Sequence, residues 1–344
     1  MWALVNALIT LGMVLVVPAG LRLIGVEGPV AGSWPFAAAA GAASLWLPRG
    51  IPATGLAVLY ALAAVALALQ ALQPRFLTPA PAPAPASAAT PAFAPAPTLG
   101  PAPAVIPSPA LIPAPALGSA AALTSAPAPT PALARLPVWC WRRLSRGWRE
   151  WIALATALAG PAVAAGALVA ERAGYRLFGF ELGVLTLTVA HFHFAGFAAA
   201  LIAGLHRRLA PGRLADAAVL TVPAGTLLVL AGYFTSEFVE LAGALVLTTG
   251  MWAMGWSTWR HARTRVPDRL TAALLATSAL VLAASMVLAV SWALGEATGL
   301  PHPSLAWMAA THGVANALGF AVCGLAAYTR LHTAALRTPV LTRD

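Results

Sequence analysis

Two imidazoles separated by one residue, His191 and His193, sit in the middle of an apolar stretch running from about Phe178 to Leu205. Histidine takes and loses a proton near neutral pH, and its ring nitrogens are common metal ligands. Either chemistry is costly to house in hydrocarbon, where a polar group without a partner is strongly disfavoured. Ionisable residues inside a span therefore default to a functional role. Two other places carry comparable signals. His312 and Asn316 are four residues apart in a second apolar stretch, so they share one helix face. Glu240 lies about one turn inside a third stretch, after Glu237. The plainer readings are interhelical hydrogen bonding for His312 and Asn316, and a favourable charge near a helix N-terminus for Glu240.

The spacing of the first pair limits its use. Residues two apart on a helix point about 200° apart, so they do not face one ion together. Either one ring faces a site while the other bonds a neighbouring helix, or a π-bulge realigns them. Gly196 leaves room for a second helix or a flat ligand. Phe192, Phe194 and Phe197 supply an aromatic wall or ordinary packing.

The elements that must hold these residues are membrane helices. The chain has 344 residues, 60% of them hydrophobic and only 9% charged, against about 25% charged in a soluble domain. A helix needs about 20 apolar residues to cross a bilayer. Stretches at 2–24, 31–47, 52–72, 151–170, 179–205, 214–233, 238–258, 270–295 and 304–329 meet or approach that length, the second being the shortest. The expected fold is an all-α polytopic bundle of about nine spans. Three spans lie in 1–72, six with the histidines lie in 151–331, and 332–344 is a cytoplasmic tail.

The net charge of +10 comes from arginine alone. With the N-terminus outside, only Arg49, Arg172 and Arg176 fall on the outer side. All other arginines face inward, which the positive-inside rule favours. The N-terminus is then out, the C-terminus in, and the first apolar run is an uncleaved helix. Such clusters orient the chain and touch lipid headgroups, so nucleic acid is not an expected partner. On this ruler His191 lies about ten residues beyond Glu181, and His312 about eight beyond Ser304. At 1.5 Å per residue all three histidines come within ~12–18 Å of the outer face.

Residues 73–137 are a different polymer, dominated by Pro and Ala. The expectation is a semi-rigid, disordered cytoplasmic linker, with recruitment of a protein partner as an alternative role. Residues 138–150 alternate Trp and Arg, as an interfacial segment does. Cys140 and Cys323 have no metal-binding spacing and read as free thiols.

Three segments are similar to the YndJ-like family of bacterial membrane proteins: Val16 to Leu23, His191 to Phe197, and His312-Gly313 through Asn316 to Phe320. The likeness covers most of 1–72 and 138–330, with the Pro/Ala tract as an insertion. It implies a multi-pass protein of the bacterial inner membrane and a transporter role, without a substrate or mechanism. The expected function is then a small-solute or ion transporter whose buried site, His191, His193, Glu240, His312 and Asn316, opens to the outer face. The alternative is a haem- or divalent-metal-binding protein with ligands from His191, His193 and His312. An intramembrane hydrolase is disfavoured by the His-x-His geometry, and a non-catalytic scaffold or sensor is the remaining class.

Overall fold

The structure is a computed structural model that describes residues 1–73, 138–266 and 268–337. The linker expected at 73–137 lies outside the described residues from 74 onward, as does the tail from 338. Helix continues to Arg337, so the last helix outruns the expected span end near 331.

Nine helices account for the described chain. They are α1 (Trp2–Leu23), α2 (Pro29–Trp46), α3 (Ile51–Leu72), α4 (Val138–Arg172), α5 (Leu182–Leu209), α6 (Arg213–Thr235), α7 (Glu237–Ala262), α8 (Arg269–Thr298) and α9 (Leu305–Ala334, continued to Arg337). Among the described residues there is no strand. The expected Trp/Arg segment at 138–150 is the start of α4. Eight of the nine are long and apolar enough to cross a membrane. The exception is α2, whose 18 residues include Pro35 and span about 27 Å.

Contacts between helices give the first five their relative directions. Between α1 and α2, Asn6 Nδ2 donates to the Leu45 carbonyl (3.0 Å) and Trp34 Nε1 to the Met13 carbonyl (3.0 Å), so the two run antiparallel. Between α3 and α4, Trp151 Nε1 donates to Ala71 O at one end (3.1 Å) and Gly50 N to Arg172 O at the other (3.0 Å). Between α1 and α5, Cβ atoms on Gly183, Gly12 and Gly20 would strike Trp2, His193 and Leu201 in turn, so these helices are parallel. Two parallel helices must be separated by an odd number of intervening traverses, so α2 counts as one beside α3 and α4. The short second helix therefore behaves as the expected second span.

Small residues let backbones approach, as membrane helices without a hydrophobic driving force between them require. A Cβ on Gly160 of α4 would lie 2.9 Å from the Phe192 carbonyl oxygen and 3.0 Å from Phe197 N of α5. The room beside Gly196 is thus filled by a helix. Gly225, Gly232 and Gly243 bring α6 and α7 together in the same way. A ladder of buried hydroxyls seals α8 to α9. Ser285 donates to Asn316 Oδ1 (2.9 Å), Ser278 to Phe320 O (3.2 Å), and Thr271 accepts from Arg330 Nε (3.0 Å).

Ion pairs collect at the two ends. At the arginine-rich end Arg207, itself buried, bonds Asp216 (2.6 Å) and Glu150 (2.7 Å), and Arg149 reaches Asp216 (3.2 Å). At the opposite end Glu171 is buried between Arg172 and Arg49 (2.8 Å to Arg49). Arg172 Nη1 also donates to the carbonyls of Ser44, Leu45 and Leu47. A buried charge is tolerated only when paired and hydrogen-bonded, and this pair also satisfies the last carbonyls of α2.

Candidate functional site

Four helices lose α-regularity, α7 at Thr258–Ala262 near the arginine-rich end and the other three around the histidines. Gly12–Val16 of α1, Phe192–Ala199 of α5, and Ala309–Gly313 with Ala315–Val322 of α9 are π-helical. In α1 the cause is local: Pro18 has no N–H to offer one turn back, and Val17 N bonds Gly12 O five residues away. π-helical turns are rare and concentrate at functional sites. Here they pack on one another: a Cβ on Gly12 would strike His193, and one on Gly313 would lie 3.5 Å from Leu8 Cδ1 of α1.

The two rings of the His-x-His pair have different surroundings. His193 is fully buried. Its Nδ1 is 2.7 Å from the Val189 carbonyl and its Nε2 is 2.6 Å from the Tyr60 hydroxyl of α3. A carbonyl only accepts, so Nδ1 carries the hydrogen and Nε2 accepts from Tyr60. Tyr60 stacks on the imidazole at 6.0 Å and meets Trp34 edge-on at 5.6 Å. His193 is therefore satisfied at both nitrogens by α5 and α3.

His191 faces another way. It is half-buried, but its Nε2 is enclosed and has no hydrogen-bond partner among the described residues. Its Phe192 neighbour stands edge-on at 5.8 Å. The π-helical turn beginning at Phe192 does not bring the two rings of α5 together.

His312 is anchored by α8. Its Nδ1 is 2.9 Å from the Ser285 carbonyl and so carries the hydrogen, leaving a lone pair on Nε2. The Asn316 amide nitrogen lies 3.2 Å from this Nε2 and donates to the His312 carbonyl (2.9 Å). Asn316 Oδ1 accepts from Ser285. His312, Asn316 and Ser285 thus form one polar group drawn from α8 and α9, and the π-helical turn that follows His191 in α5 packs on the turn of α9 that holds Asn316.

Glu240 lies elsewhere. Its backbone packs on Gly232 of α6, and it shares the first turn of α7 with Glu237. Among the described residues no hydrogen bond or ion pair links it to a histidine. Glu296 instead meets His302 Nε2 at 3.2 Å, so that loop histidine has a carboxylate partner.

The donor sets bear on the metal alternative. Among the described residues no group of three or more His, Cys, Asp or Glu is placed to hold a metal ion. His193 has no free nitrogen to give, so the three-histidine ligand set expected from the sequence does not form. Among the described residues Nε2 of His191 is without a hydrogen-bond partner, whereas Nε2 of His312 accepts from the Asn316 amide (3.2 Å).

Three participants are not obvious from sequence. Tyr60 and Ser285 are single polar side chains in apolar spans, and only their depth, level with the histidines, singles them out. His206 reads as an interfacial histidine beside Arg207 and Arg208. It is instead fully buried, with Nε2 2.9 Å from Ser257 Oγ and Nδ1 3.2 Å from Thr258 Oγ1, tying α5 to α7.

The YndJ-like protein family matches residues 7–102 and 108–320. The chain belongs to the YndJ-like family. The matched residues hold all three motifs and also run through most of the Pro/Ala tract, so the match does not set that tract apart as an insertion. No curated protein and no solved structure matches the chain. With its membrane-length helices, this YndJ-like chain is a multi-pass integral membrane protein.

Proposed function

We propose that the chain is a small-solute or ion transporter in which His191 and His312, with Asn316 and Ser285, form the proton- or solute-binding centre. The observation that carries this reading is the enclosed Nε2 of His191, which has no hydrogen-bond partner among the described residues. Leaving a buried nitrogen unpaired costs about 1–3 kcal/mol. The fold satisfies His193 and His206 at both nitrogens and leaves this imidazole nitrogen open, which is what a site for a proton, a water or a polar solute needs. The placement of the pair among adjoining π-helical turns supports the same reading.

In this account the arginine-rich end faces the cytoplasm of a bacterial inner membrane. The opposite end carries Glu237, Glu240 and Glu296, an acidic mouth that favours approach of protons and cations from outside. Glu240 then acts at the mouth and not in the centre. His193 and Tyr60 hold α5 on α3 and are not part of the exchange.

The same open nitrogen is what a haem or metal would use, with His191 and His312 as its two protein ligands. A Soret band or stoichiometric metal in detergent-purified protein, lost in His312→Ala, would favour that reading. The transporter reading is tested by solute-dependent proton flux in proteoliposomes. Flux unchanged by His191→Ala and His312→Ala would reject it.

A further inference from the structure

Away from the histidine centre, the outer surface of α7 and α8 carries a groove of about 390 Å³. Trp252, Trp256 and Trp259 of α7 wall it, at spacings that place them along one side of the helix. Gly255, Ala279 and Ala283 make its floor, and their small size is what makes it concave. Trp252 and Trp256 are about half exposed, and the lining is almost wholly apolar. The groove ends one turn from the arginine-rich end of the bundle. There Arg260 lies over the Trp256 ring (5.3 Å) and Arg263 over the Trp259 ring (4.0 Å). Arg263 Nε also donates to Trp259 O at 2.6 Å, which fixes its side chain. Among the described residues neither arginine pairs with a carboxylate. The nearby Asp268 is taken by Arg330 at 3.0 Å.

We propose that this groove is a binding site for an anionic glycerophospholipid. One acyl chain lies along the Trp252–Trp259 wall over the Gly255 and Ala283 floor, and the phosphate sits between Arg260 and Arg263. The charge arrangement selects this occupant. A zwitterionic lipid fills the apolar groove equally well but leaves two cations without net neutralisation. An apolar helix of a second copy covers the groove and meets neither arginine. The cation–π contacts hold both guanidinium groups at the groove mouth before any lipid arrives, which limits the ordering cost of binding.

The test is native mass spectrometry of the detergent-purified, delipidated full chain titrated with phosphatidylglycerol or phosphatidylcholine of matched acyl chains. Phosphatidylglycerol should be retained in preference. Arg260→Gln with Arg263→Gln should lower its retention on the order of ten-fold while leaving phosphatidylcholine unchanged. Ala283→Leu, which fills the floor, should lower the retention of both lipids. Arg260 is exposed and unpaired, so the arginine variant tests the site even where the filled variant folds poorly. Equal retention of the two lipids by the parent chain, or phosphatidylglycerol retention unaffected by the arginine changes, would overturn the proposal. So would an Ala283→Leu variant that loses a dimer but keeps its lipid.

Discussion

The Tyr60 hydroxyl donates to Nε2 of His193 across 2.6 Å, joining α3 to α5 at the level of the π-helical turns. With Nδ1 bonded to Val189 O, this leaves His193 no nitrogen for a ligand. His191, two residues earlier, keeps one. This difference in hydrogen bonding within a single motif is the basis for proposing a structural role for His193 and a functional one for His191.

That separation has a direct consequence for stability. Tyr60→Phe strands a buried imidazole nitrogen and should cost about 1–3 kcal/mol. His191→Ala removes a nitrogen that had no partner and should leave stability nearly unchanged. Thermal unfolding in detergent should show a clear fall for the first variant and little for the second. Equal effects would contradict the assignment of roles.

The crossing of α4 and α5 should resist any added volume. A Cβ on Gly160 meets the Phe192 carbonyl oxygen, whereas one on Gly166 meets nothing within 4 Å. Gly160→Val should therefore destabilise by about 1–3 kcal/mol, as overpacking does. Gly166→Val on the same helix should be tolerated. Folded yield from size-exclusion chromatography, with melting temperature, distinguishes the pair.

Removing the guanidinium of Arg172 exposes a different dependence. Arg172→Met deprives the buried Glu171 of one partner and frees three carbonyls near the end of α2. Breaking a buried pair on one side costs about 3 kcal/mol or more. The double change Arg172→Met with Glu171→Gln should recover part of the loss. Absence of any recovery in the melting temperatures would show that the carbonyl contacts, and not the pair, dominate.

Asp268 supplies a pH-dependent prediction outside the spans. It caps α8 by accepting from the Thr271 hydroxyl (2.6 Å) and backbone N–H (2.9 Å), and it bonds Arg330 of α9. These bonds, the Thr271 hydroxyl first, hold its carboxyl down to about 2. A depressed pKa stabilises fully above the unfolded value near 3.9 and is lost as pH falls toward the folded value. The melting temperature should therefore drop between about pH 4 and pH 2 by more in the parent protein than in Asp268→Asn. At pH 6 the variant should be the less stable of the two.

Much of the fold is legible from hydropathy and arginine placement because crossing a bilayer demands long apolar helices and leaves the charges outside them. The weakest expected span, α2, lacks the hydropathy of the others. It is held by polar contacts from elsewhere in the chain, Asn6 to Leu45 and Arg172 to Ser44, which no local window contains. The depth ruler brought His191 and His312 to one level but could not tell which neighbours each ring meets. It also attached Glu240 to the centre by depth alone. The packing of α7 on α6 carries that carboxylate to other acids. His206 reads as interfacial because arginines follow it, yet the α5–α7 contact buries it.

The central claim is that His191 and His312 form the working site while His193 does not. It is tested most directly by proton flux in proteoliposomes loaded with a pH-sensitive dye and challenged with a panel of small ions and polar solutes. The account predicts a solute-dependent flux that is abolished by His191→Ala or His312→Ala and persists in correctly folded Tyr60→Phe. Flux that survives both histidine changes, or that fails to depend on any solute tested, would contradict it.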